Sequence, residues 1–250
     1  MTIIILSLAS FVAWFISTLA GGGSPMILIP LVNMLLGPTA IAPVITVGML
    51  MGNSQRTWCF WQFIDWKVTA WYIPGAIVGA VLGAYTITQI DLEWLELIIG
   101  LFLIITVWSF RFGKKERTFN MNIWYFLPIG FFHAFSSGLI GSTGPITNPF
   151  YLNYGLVKET MVATKSSNVV IIHIAKIISY ISLGMFTPKF LMYGLLIGIV
   201  SFPANWIGQH FLAKMNEQQF RQLVFILMGI TGVWMLWQQR ELLDIGQWIY

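Results

Sequence analysis

Long apolar stretches alternate with short polar ones along almost the whole of this 250-residue chain. Each long stretch has about 18 to 24 residues, the length that an α-helix needs to cross the hydrocarbon core of a bilayer. None alternates apolar and polar residues in the way that a membrane β-strand does. The pattern therefore predicts an all-α integral membrane protein with about eight transmembrane helices, at residues 3–20, 39–60, 68–86, 92–110, 123–140, 160–183, 190–212 and 220–237.

Two stretches rich in glycine interrupt this pattern, one after the first predicted span and one after the fifth. The first break contains Gly21, Gly22, Gly23 and Ser24, and the second contains Gly141, Ser142, Thr143 and Gly144. Each break leads through a proline into an apolar run that is too short to span, at residues 26–36 and 146–156. We interpret these runs as half-helices or re-entrant segments, because irregular backbone at membrane depth is tolerated only where it lines a cavity.

The two breaks belong to an internal repeat with a shift of 120 residues (145 − 25 = 120), the distance from Pro25 to Pro145. The same shift pairs residues of like kind: Phe11 with Phe131, Ser17 with Ser137, Asn33 with Asn153, and Arg56 with Lys176. The sequence thus predicts two tandem four-helix repeats, 1–110 and 123–238, with a basic hinge at 111–122 and a C-terminal tail at 239–250. Because each repeat would contain an even number of spans, we expect parallel halves related by an axis along the membrane normal.

Composition agrees with a membrane location and excludes several classes of protein. Hydrophobic residues make up 57% of the chain and charged residues only 9%, too few to cover a water-facing surface. The net charge of +4 is not arranged as a basic stripe with interleaved aromatic residues, so no nucleic-acid binding is expected. The sequence contains no metal-ligand cluster, P-loop or catalytic-serine motif, so we expect neither an enzyme nor a cofactor.

Lysine and arginine predict the orientation of the chain. The positive-inside rule assigns the hinge to the cytoplasmic side, because it carries Arg111, Lys114, Lys115 and Arg117. Counting eight spans from there gives a multi-pass protein of the cytoplasmic membrane, with both termini cytoplasmic. The acidic loop after the third span then lies outside, with Asp91, Glu93 and Glu96. This assignment leaves three basic residues on the wrong side: Lys158, Lys214 and Arg221.

The two breaks have the chemistry of an anion site. Glycines let backbone N–H groups face a ligand, and the N-terminus of a half-helix adds a partial positive charge. All eight residues of the breaks are therefore candidate substrate ligands. Polar side chains in the spans that follow extend the set with Thr46, Asn53, Lys165, Ser166, Ser167 and Asn168. The alternatives are that the breaks are simple loops and that the two asparagines join neighbouring helices.

Arg56, His173 and Lys176 are candidates for gating or for attracting a charged substrate. Arg56 and Lys176 lie late in equivalent spans. Their side chains could extend to the lipid headgroups, the interpretation that we favour, or act on an anion within the membrane. His173 shares a helix face with Lys176. All nine acidic residues lie in loops, tails or span ends, so we expect no carboxylate proton relay.

The break after the first span, its repeat after the fifth, and the hydroxyl-bearing helix after each resemble the TauE/SafE sulfite exporter family, over about residues 11–237. The resemblance implies transport of a small sulfur-containing anion such as sulfite, thiosulfate or an organosulfonate. The expected partners are this anion and the lipid bilayer. We expect alternating access, with export driven by the membrane potential. A passive anion channel and a carrier of a non-sulfur organic anion are the alternatives, and a homodimer is an alternative to a monomer.

Overall fold

The computed structural model describes residues 1–86, 92–114 and 116–240, and all regular structure in these ranges is helical. Their α-helices are α1 Thr2–Leu19, α2 Ser24–Leu36, α3 Ile41–Cys59, α4 Trp66–Thr86, α5 Leu92–Ser109, α6 Phe126–Ile140, α7 Asn148–Tyr154, α8 Lys158–Ser182, α9 Pro188–Lys214 and α10 Glu217–Gln238. Each of the eight predicted spans coincides with one of these helices. Asp91, Lys115 and the tail residues 241–250 lie outside the described residues.

Among the described residues, five helices are long and apolar enough to cross a membrane: α1, α4, α8, α9 and α10. The helix α2 and the stretch Leu97–Ser109 of α5 are apolar but shorter. The helix α3 has 19 residues, but its second half contains Asn53, Gln55 and Arg56, which lower its hydropathy. The described part of the chain is thus that of a helical membrane protein.

The helices α1 and α2 form a hairpin. Gly21, Gly22 and Gly23 have φ angles of +64°, +135° and +116°, which glycine adopts readily and other residues do not, and they reverse the chain. The helix α2 then runs back beside α1, with Leu28 and Leu6 in one buried apolar cluster. It ends only four residues before α3 begins. As a result, α1 and α3 start at the same end of the bundle.

The helices α6 and α7 form a second hairpin. Gly141 ends α6 with a φ angle of +95°, and a 3₁₀ turn at Gly144–Thr147 leads into α7. The ring of Phe126, at the start of α6, packs against Tyr151 and Tyr154 of α7. Thus α7 returns to the end of the bundle where α6 began. The two predicted half-helix segments are α2 and α7, and α7 is the shorter because its approach is a 3₁₀ turn.

The remaining helices cross the bundle in alternating directions. The end of the bundle where α1 and α3 begin is called the terminal end. The opposite end, where α5 leads into the hinge, is called the hinge end. The helices α3 and α9 are parallel, since Gly194 packs against Val47 and Gly198 against Met51. The helix α4 starts at the hinge end, where α3 ends, and it runs antiparallel to α3. In turn α8 is parallel to α4, with hydroxyl pairs near both ends: Thr69 with Ser167 at 3.3 Å and Tyr85 with Ser182 at 2.9 Å.

The predicted parallel arrangement of the two halves is wrong. Because the hairpin α1–α2 returns to the terminal end, the first half makes three further crossings, in α3, α4 and α5, and finishes at the hinge end. The second half starts at the hinge end with the hairpin α6–α7 and finishes at the terminal end with α10. The halves are therefore inverted relative to each other. They also interlock, since α4 packs on α6, and α9 packs on α1 and α3.

Glycines at a spacing of four hold α4 close against α6. Cβ atoms built on Gly75, Gly79 and Gly83 would lie 2.1, 2.2 and 2.3 Å from backbone carbonyl oxygens of α6. These three glycines thus form a close contact between the two helices. The backbone of α6 occupies the space that a side chain would need, which is how small residues bring membrane helices together.

Basic residues are unequally divided between the two ends of the bundle. Among the described residues, seven lie at the hinge end: Lys67, Arg111, Lys114, Arg117, Lys158, Lys214 and Arg221. Two lie at the terminal end, Lys189 and Arg240.

The directions of the helices also place the start of α1 and the hinge at opposite ends of the bundle. This contradicts the predicted topology, in which both lie on the same side. The cause is the hairpin α1–α2, which does not act as a single span.

Candidate functional site

The two glycine-rich breaks meet inside the bundle. A Cβ atom on Gly144 would lie 3.4 Å from the Cα atom of Gly23, so the tips of the two hairpins are in contact although they enter from opposite ends. A small cavity of about 30 Å³ lies between these tips, α3 and α8. Ten of the predicted site residues line it: Gly21, Gly22, Gly23, Ser24, Asn53, Arg56, Ser142, Gly144, Lys165 and Ser166.

Most backbone N–H groups in the breaks are unbonded. The N–H groups of Gly22 and Gly141 donate to the carbonyl oxygens of Ser17 (2.8 Å) and Ser137 (3.1 Å), which closes the last turns of α1 and α6. Gly22 is thus a helix cap, not the N–H donor to a ligand that we predicted. Within the described part of the chain, the other six N–H groups of the breaks make no hydrogen bond: those of Gly21, Gly23, Ser24, Ser142, Thr143 and Gly144.

Lys165 connects the two hairpin tips. Its ammonium nitrogen Nζ donates to the carbonyl oxygens of Gly21 at 2.8 Å and Gly144 at 2.7 Å, and to the side-chain oxygen of Asn148. The residue is only 6% exposed. A buried ammonium group needs partners of this kind, because an unpaired charge away from water is costly. The lysine in the middle of α8 therefore fixes the position of both breaks.

Arg56 is buried in the cavity wall. Its Nε atom donates to Thr18 Oγ1 at 3.1 Å and to Asn205 Oδ1 at 3.0 Å, and Nη2 donates to the carbonyl oxygen of Trp14 at 3.2 Å. The guanidinium carbon also lies 4.7 Å from the centre of a Trp14 ring. Arg56 is 3% exposed, so the favoured interpretation that it extends to the headgroups is wrong. Backbone and side-chain oxygens on α1 and α9 hold the guanidinium inside.

Lys176 is also buried, and it does not line the cavity. Its Nζ atom donates to the carbonyl oxygens of Gly141 at 2.5 Å and Ser137 at 2.8 Å, at the C-terminal end of α6. Extension to the headgroups is therefore wrong for Lys176 as well. His173, one turn earlier on α8, is fully buried. Neither of its ring nitrogens has a hydrogen-bond partner among the described residues.

Four of the predicted polar ligands lie outside this cavity. Thr46 is buried in α3 without a partner for its hydroxyl among the described residues. The hydroxyl of Ser167 donates to the carbonyl oxygen of Thr164 at 2.8 Å, and the side chain faces α4. Asn168 Nδ2 donates to the hydroxyl of Tyr151 at 2.8 Å, which is the interhelical contact considered as its alternative role. Thr143 lines the neighbouring space described next.

A second, larger space adjoins the cavity towards the terminal end. This vestibule has a volume of about 410 Å³ and lies between α2, α5, α10 and the second break. It shares Pro25, Ser142 and Gly144 with the cavity, so the two spaces adjoin at these residues. Asn33 and Gln238, near the terminal ends of α2 and α10, line its outer part. The vestibule therefore lies between the cavity and the terminal end of the bundle.

The sequence matches the family model described as sulfite exporter TauE/SafE over residues 6–235, nearly the whole chain. The chain belongs to the TauE/SafE family. The predicted family is confirmed, and with it the prediction of a multi-pass membrane transporter. TauE/SafE proteins are transporters and not enzymes, which fits the expectation that this chain is not an enzyme. No curated protein and no solved structure matches the chain.

Several cavity residues of this TauE/SafE protein were not predicted. Ser17 and Ser137 both line the cavity, and their pairing at the 120-residue shift was a signal that could have found them. His133 lines it too, with its Nδ1 atom hydrogen-bonded to the hydroxyl of Tyr72. Asn148, the third partner of Lys165, has no counterpart of its kind at position 28, so the repeat gave no signal for it.

The described charged side chains that line the cavity of this TauE/SafE protein are all positive. Arg56 and Lys165 line it, and no aspartate or glutamate is among its described lining residues. The acidic side chains that the structure describes lie in connections or at helix starts: Asp65, Glu116, Glu159 and Glu217. A cleft lined by one sign of charge with apolar walls concentrates ions of the opposite sign. The cavity is therefore suited to an anion.

Proposed function

We propose that this TauE/SafE protein moves a small sulfur-containing anion, such as sulfite, thiosulfate or an organosulfonate, across the cytoplasmic membrane. The observation that carries the proposal is the cavity where the two breaks meet. It combines two buried cations, serine hydroxyls and unbonded N–H groups, without a carboxylate among its described lining residues. An oxyanion presents hydrogen-bond acceptors on several sides at once, and donors from two hairpins can satisfy them together.

In this proposal the two breaks supply the direct donors. The N–H groups of Gly23 and Gly144 and the hydroxyls of Ser24 and Ser142 bind the oxygen atoms of the anion. Ser24 is also the first residue of α2, so the positive end of that helix dipole lies at the cavity. Lys165 holds the hairpin tips together, and its charge and that of Arg56 attract the anion.

The proposed architecture is a pair of inverted repeats, residues 1–110 and 123–238, joined by the hinge at 111–122 and followed by the tail at 239–250. The eight longer helices lie in the bilayer with the half-helices α2 and α7 between them. Inverted repeats with broken helices that meet near the midplane are typical of secondary transporters. Such repeats support alternating access, because each hairpin offers a route to the site from one side.

The orientation that we propose differs from the one predicted from the sequence. With the hinge end cytoplasmic, seven described basic residues face the cytoplasm and two face outwards. Lys158, Lys214 and Arg221, which the eight-span count left on the wrong side, then obey the positive-inside rule. The first residues of α1 and the end of α10 lie outside the cell in this orientation, and the vestibule opens to the outside.

The driving force that we propose is the membrane potential. The described residues of the cavity wall include no carboxylate, so the proposed mechanism has no carboxylate proton relay. An inside-negative potential expels an anion and contributes about 2.3 kcal/mol per elementary charge per 100 mV. The expected direction is export, with one net charge or more moved in each cycle.

The test is ligand-induced stabilisation of the purified protein, measured as a shift of its thermal unfolding temperature. The ligands are sulfite, thiosulfate and methanesulfonate, with acetate, phosphate and chloride as comparisons. A ligand at 100 times its Kd stabilises the folded state by about 2.7 kcal/mol. We expect shifts with one or more of the three sulfur compounds, and their loss in the Gly144→Val protein.

Flux into proteoliposomes completes the test. Saturable flux of the stabilising anion, absent from the Gly144→Val protein, supports the proposal. Stabilisation by acetate alone would overturn the substrate class in favour of a non-sulfur organic anion. Flux that rises linearly with concentration, without stabilisation by any anion, would instead establish a passive channel.

A further inference from the structure

The two ends of the bundle differ in how the cavity is covered. At the terminal end the vestibule reaches the cavity at Pro25, Ser142 and Gly144. At the hinge end a four-residue stretch of the hinge, residues 116–119, crosses the corresponding position. We call this stretch the strap. Since the two halves are inverted copies, their entrances would be equivalent without it.

The asymmetry is clearest at two asparagines that the repeat pairs, Asn33 on α2 and Asn153 on α7. Asn33 is exposed at the vestibule and makes no side-chain hydrogen bond with the described residues. Asn153 is 1% exposed. Its Oδ1 atom accepts from the N–H groups of Thr118 at 2.7 Å and Phe119 at 3.1 Å. The side chain of Asn33 thus has no hydrogen bond with the described residues at the vestibule, whereas that of Asn153 is hydrogen-bonded to the strap.

Further contacts anchor the strap to α7 and α10. Arg221 Nη1 donates to the carbonyl oxygen of Glu116 at 3.0 Å. The ring of Phe119 lies 6.3 Å from that of Phe150, in an edge-to-face arrangement. Arg117 lies over Gly155, where a Cβ atom would be 2.7 Å from Nη2. Several separate contacts therefore hold the strap in place, and each contact is made by a single side chain.

Apolar side chains near the starts of α8 and α10 lie on the hinge-end side of the cavity. Phe220 precedes Arg221 on α10, and both Phe220 and Met161 are fully buried. A Cβ atom on Gly21, which lines the cavity, would lie 3.2 Å from Met161 Cε and 3.5 Å from Phe220 Cζ. These two side chains form a layer that closes the cavity towards the hinge end. Movement of that layer would connect the cavity with the hinge end.

We propose that the strap is the gate of the hinge-end entrance, and that its release from Asn153 opens the cavity to that side. The described conformation is then the one open to the terminal end and closed at the hinge end. The inference rests on the proposed transport function, for which a second entrance is needed. The gate is weak enough to open, because it consists of a few hydrogen bonds and one aromatic contact.

The experiment measures from which side a thiol in the cavity can be reached. In a Cys59→Ala background, Ser17→Cys gives the cavity wall a single thiol. The protein is reconstituted into vesicles, and a charged, membrane-impermeant maleimide is added to one side at a time. Lys114→Cys and Lys189→Cys, at exposed residues of the hinge end and the terminal end, identify the two sides. The readout is the labelling rate.

We expect the cavity thiol to react from the terminal side and very slowly from the hinge side. Asn153→Ala should raise the hinge-side rate about tenfold, the population shift expected from the loss of two hydrogen bonds. Phe119→Ala should also raise the hinge-side labelling rate. Asn33→Ala is the matched control, since it removes the equivalent asparagine without removing a contact, and it should leave the hinge-side rate unchanged.

An unchanged hinge-side rate in both Asn153→Ala and Phe119→Ala, with terminal-side labelling intact, would overturn the proposal. So would an equal increase in Asn33→Ala. Phe119→Ala, at a 43% exposed residue, keeps the test valid if Asn153→Ala fails to fold. Labelling does not require transport, so an absence of anion binding and flux would count against the proposed function and leave this result standing.

Discussion

The ammonium nitrogen of Lys165 lies 2.8 Å from the carbonyl oxygen of Gly21, a residue 144 positions earlier in the chain. The same nitrogen donates to Gly144, so one side chain of α8 holds the tips of both hairpins. The cavity keeps its shape only while these tips stay together. Lys165 therefore has a structural task in addition to the charge that it contributes.

Replacement of Lys165 by methionine should destabilise the protein and abolish anion binding. The change leaves the carbonyl oxygens of Gly21 and Gly144 without their donor, and each lost hydrogen bond to a charged group costs about 1.5–3 kcal/mol. The measurement is thermal unfolding with and without the anion. Lys189→Met, at an exposed lysine, is the control and should change neither quantity. An intact anion-induced shift in Lys165→Met would exclude this role.

Replacement of Gly22 by valine should abolish uptake while the protein stays folded. A Cβ atom there would lie 2.7 Å from Lys165 Nζ, so the lysine must move away from the hairpin tips. Gly37→Val is the matched control, because Gly37 also has a positive φ angle but has no atom within 4 Å of its Cβ position. The measurement is uptake into proteoliposomes, which should be lost in Gly22→Val and kept in Gly37→Val. Normal transport by Gly22→Val would show that the break is only a turn.

Gly79→Ala should destabilise the contact between α4 and α6. The new Cβ atom would lie 2.2 Å from the carbonyl oxygen of Phe131, and overpacking of this kind costs about 1–3 kcal/mol. At Gly229 the nearest atom is 4.0 Å away, so Gly229→Ala should be neutral or stabilise α10 by about 0.5–1 kcal/mol. Opposite shifts of the unfolding temperature are thus expected. Equal shifts would mean that α4 and α6 are not in close contact.

Single cysteines at opposite ends of the bundle should be labelled from opposite sides of the cell membrane. A cysteine at Lys114 should react only from the cytoplasmic side, and one at Lys189 only from outside. Intact cells and inside-out vesicles, treated with an impermeant thiol reagent, give the two measurements. Labelling of both residues from the same side would contradict the inverted arrangement, and labelling in the reverse sense would contradict the proposed orientation alone.

Transport should tolerate glutamine in place of each histidine, at His133, His173 and His210. The proposed driving force is the membrane potential, so no ionisable relay is required. The measurement is anion flux with the potential clamped and the pH gradient removed, and flux should continue. His173 is the informative variant, since it is buried without a described partner. Flux that stops when the pH gradient alone is removed would make His173 a proton carrier.

Sequence patterns predicted the positions of the helices but not the directions of the two halves. The lengths of apolar runs indicated all eight longer helices, because burial in lipid requires such runs. The same lengths do not distinguish a helix that crosses the bilayer from one that turns back through a break. The glycines at 21–23 carried that information, since their positive φ angles reverse the chain. Counting α1 as a full span gave the wrong symmetry.

Within the candidate site, the breaks and Lys165 were accessible from the sequence, because glycine clusters and intramembrane charges are rare there. The partners of Arg56 and Lys176 were not. Each lies near a helix end in the sequence, which favours extension to the headgroups. The oxygens that hold them inside belong to other helices, such as the carbonyl groups of Trp14 and Gly141. Only the tertiary structure brings these groups together.

The interlocking of α4 with α6, and of α1 with α9, has a consequence for any separation of the two halves. Each half packs against the other along these helices, so neither half alone buries the surfaces that it buries in the full chain. Expressed separately, the two halves would have to insert in opposite orientations before they could pair. The segment at 111–122 avoids that requirement, because it joins the finish of one half to the start of the next at the same end of the bundle.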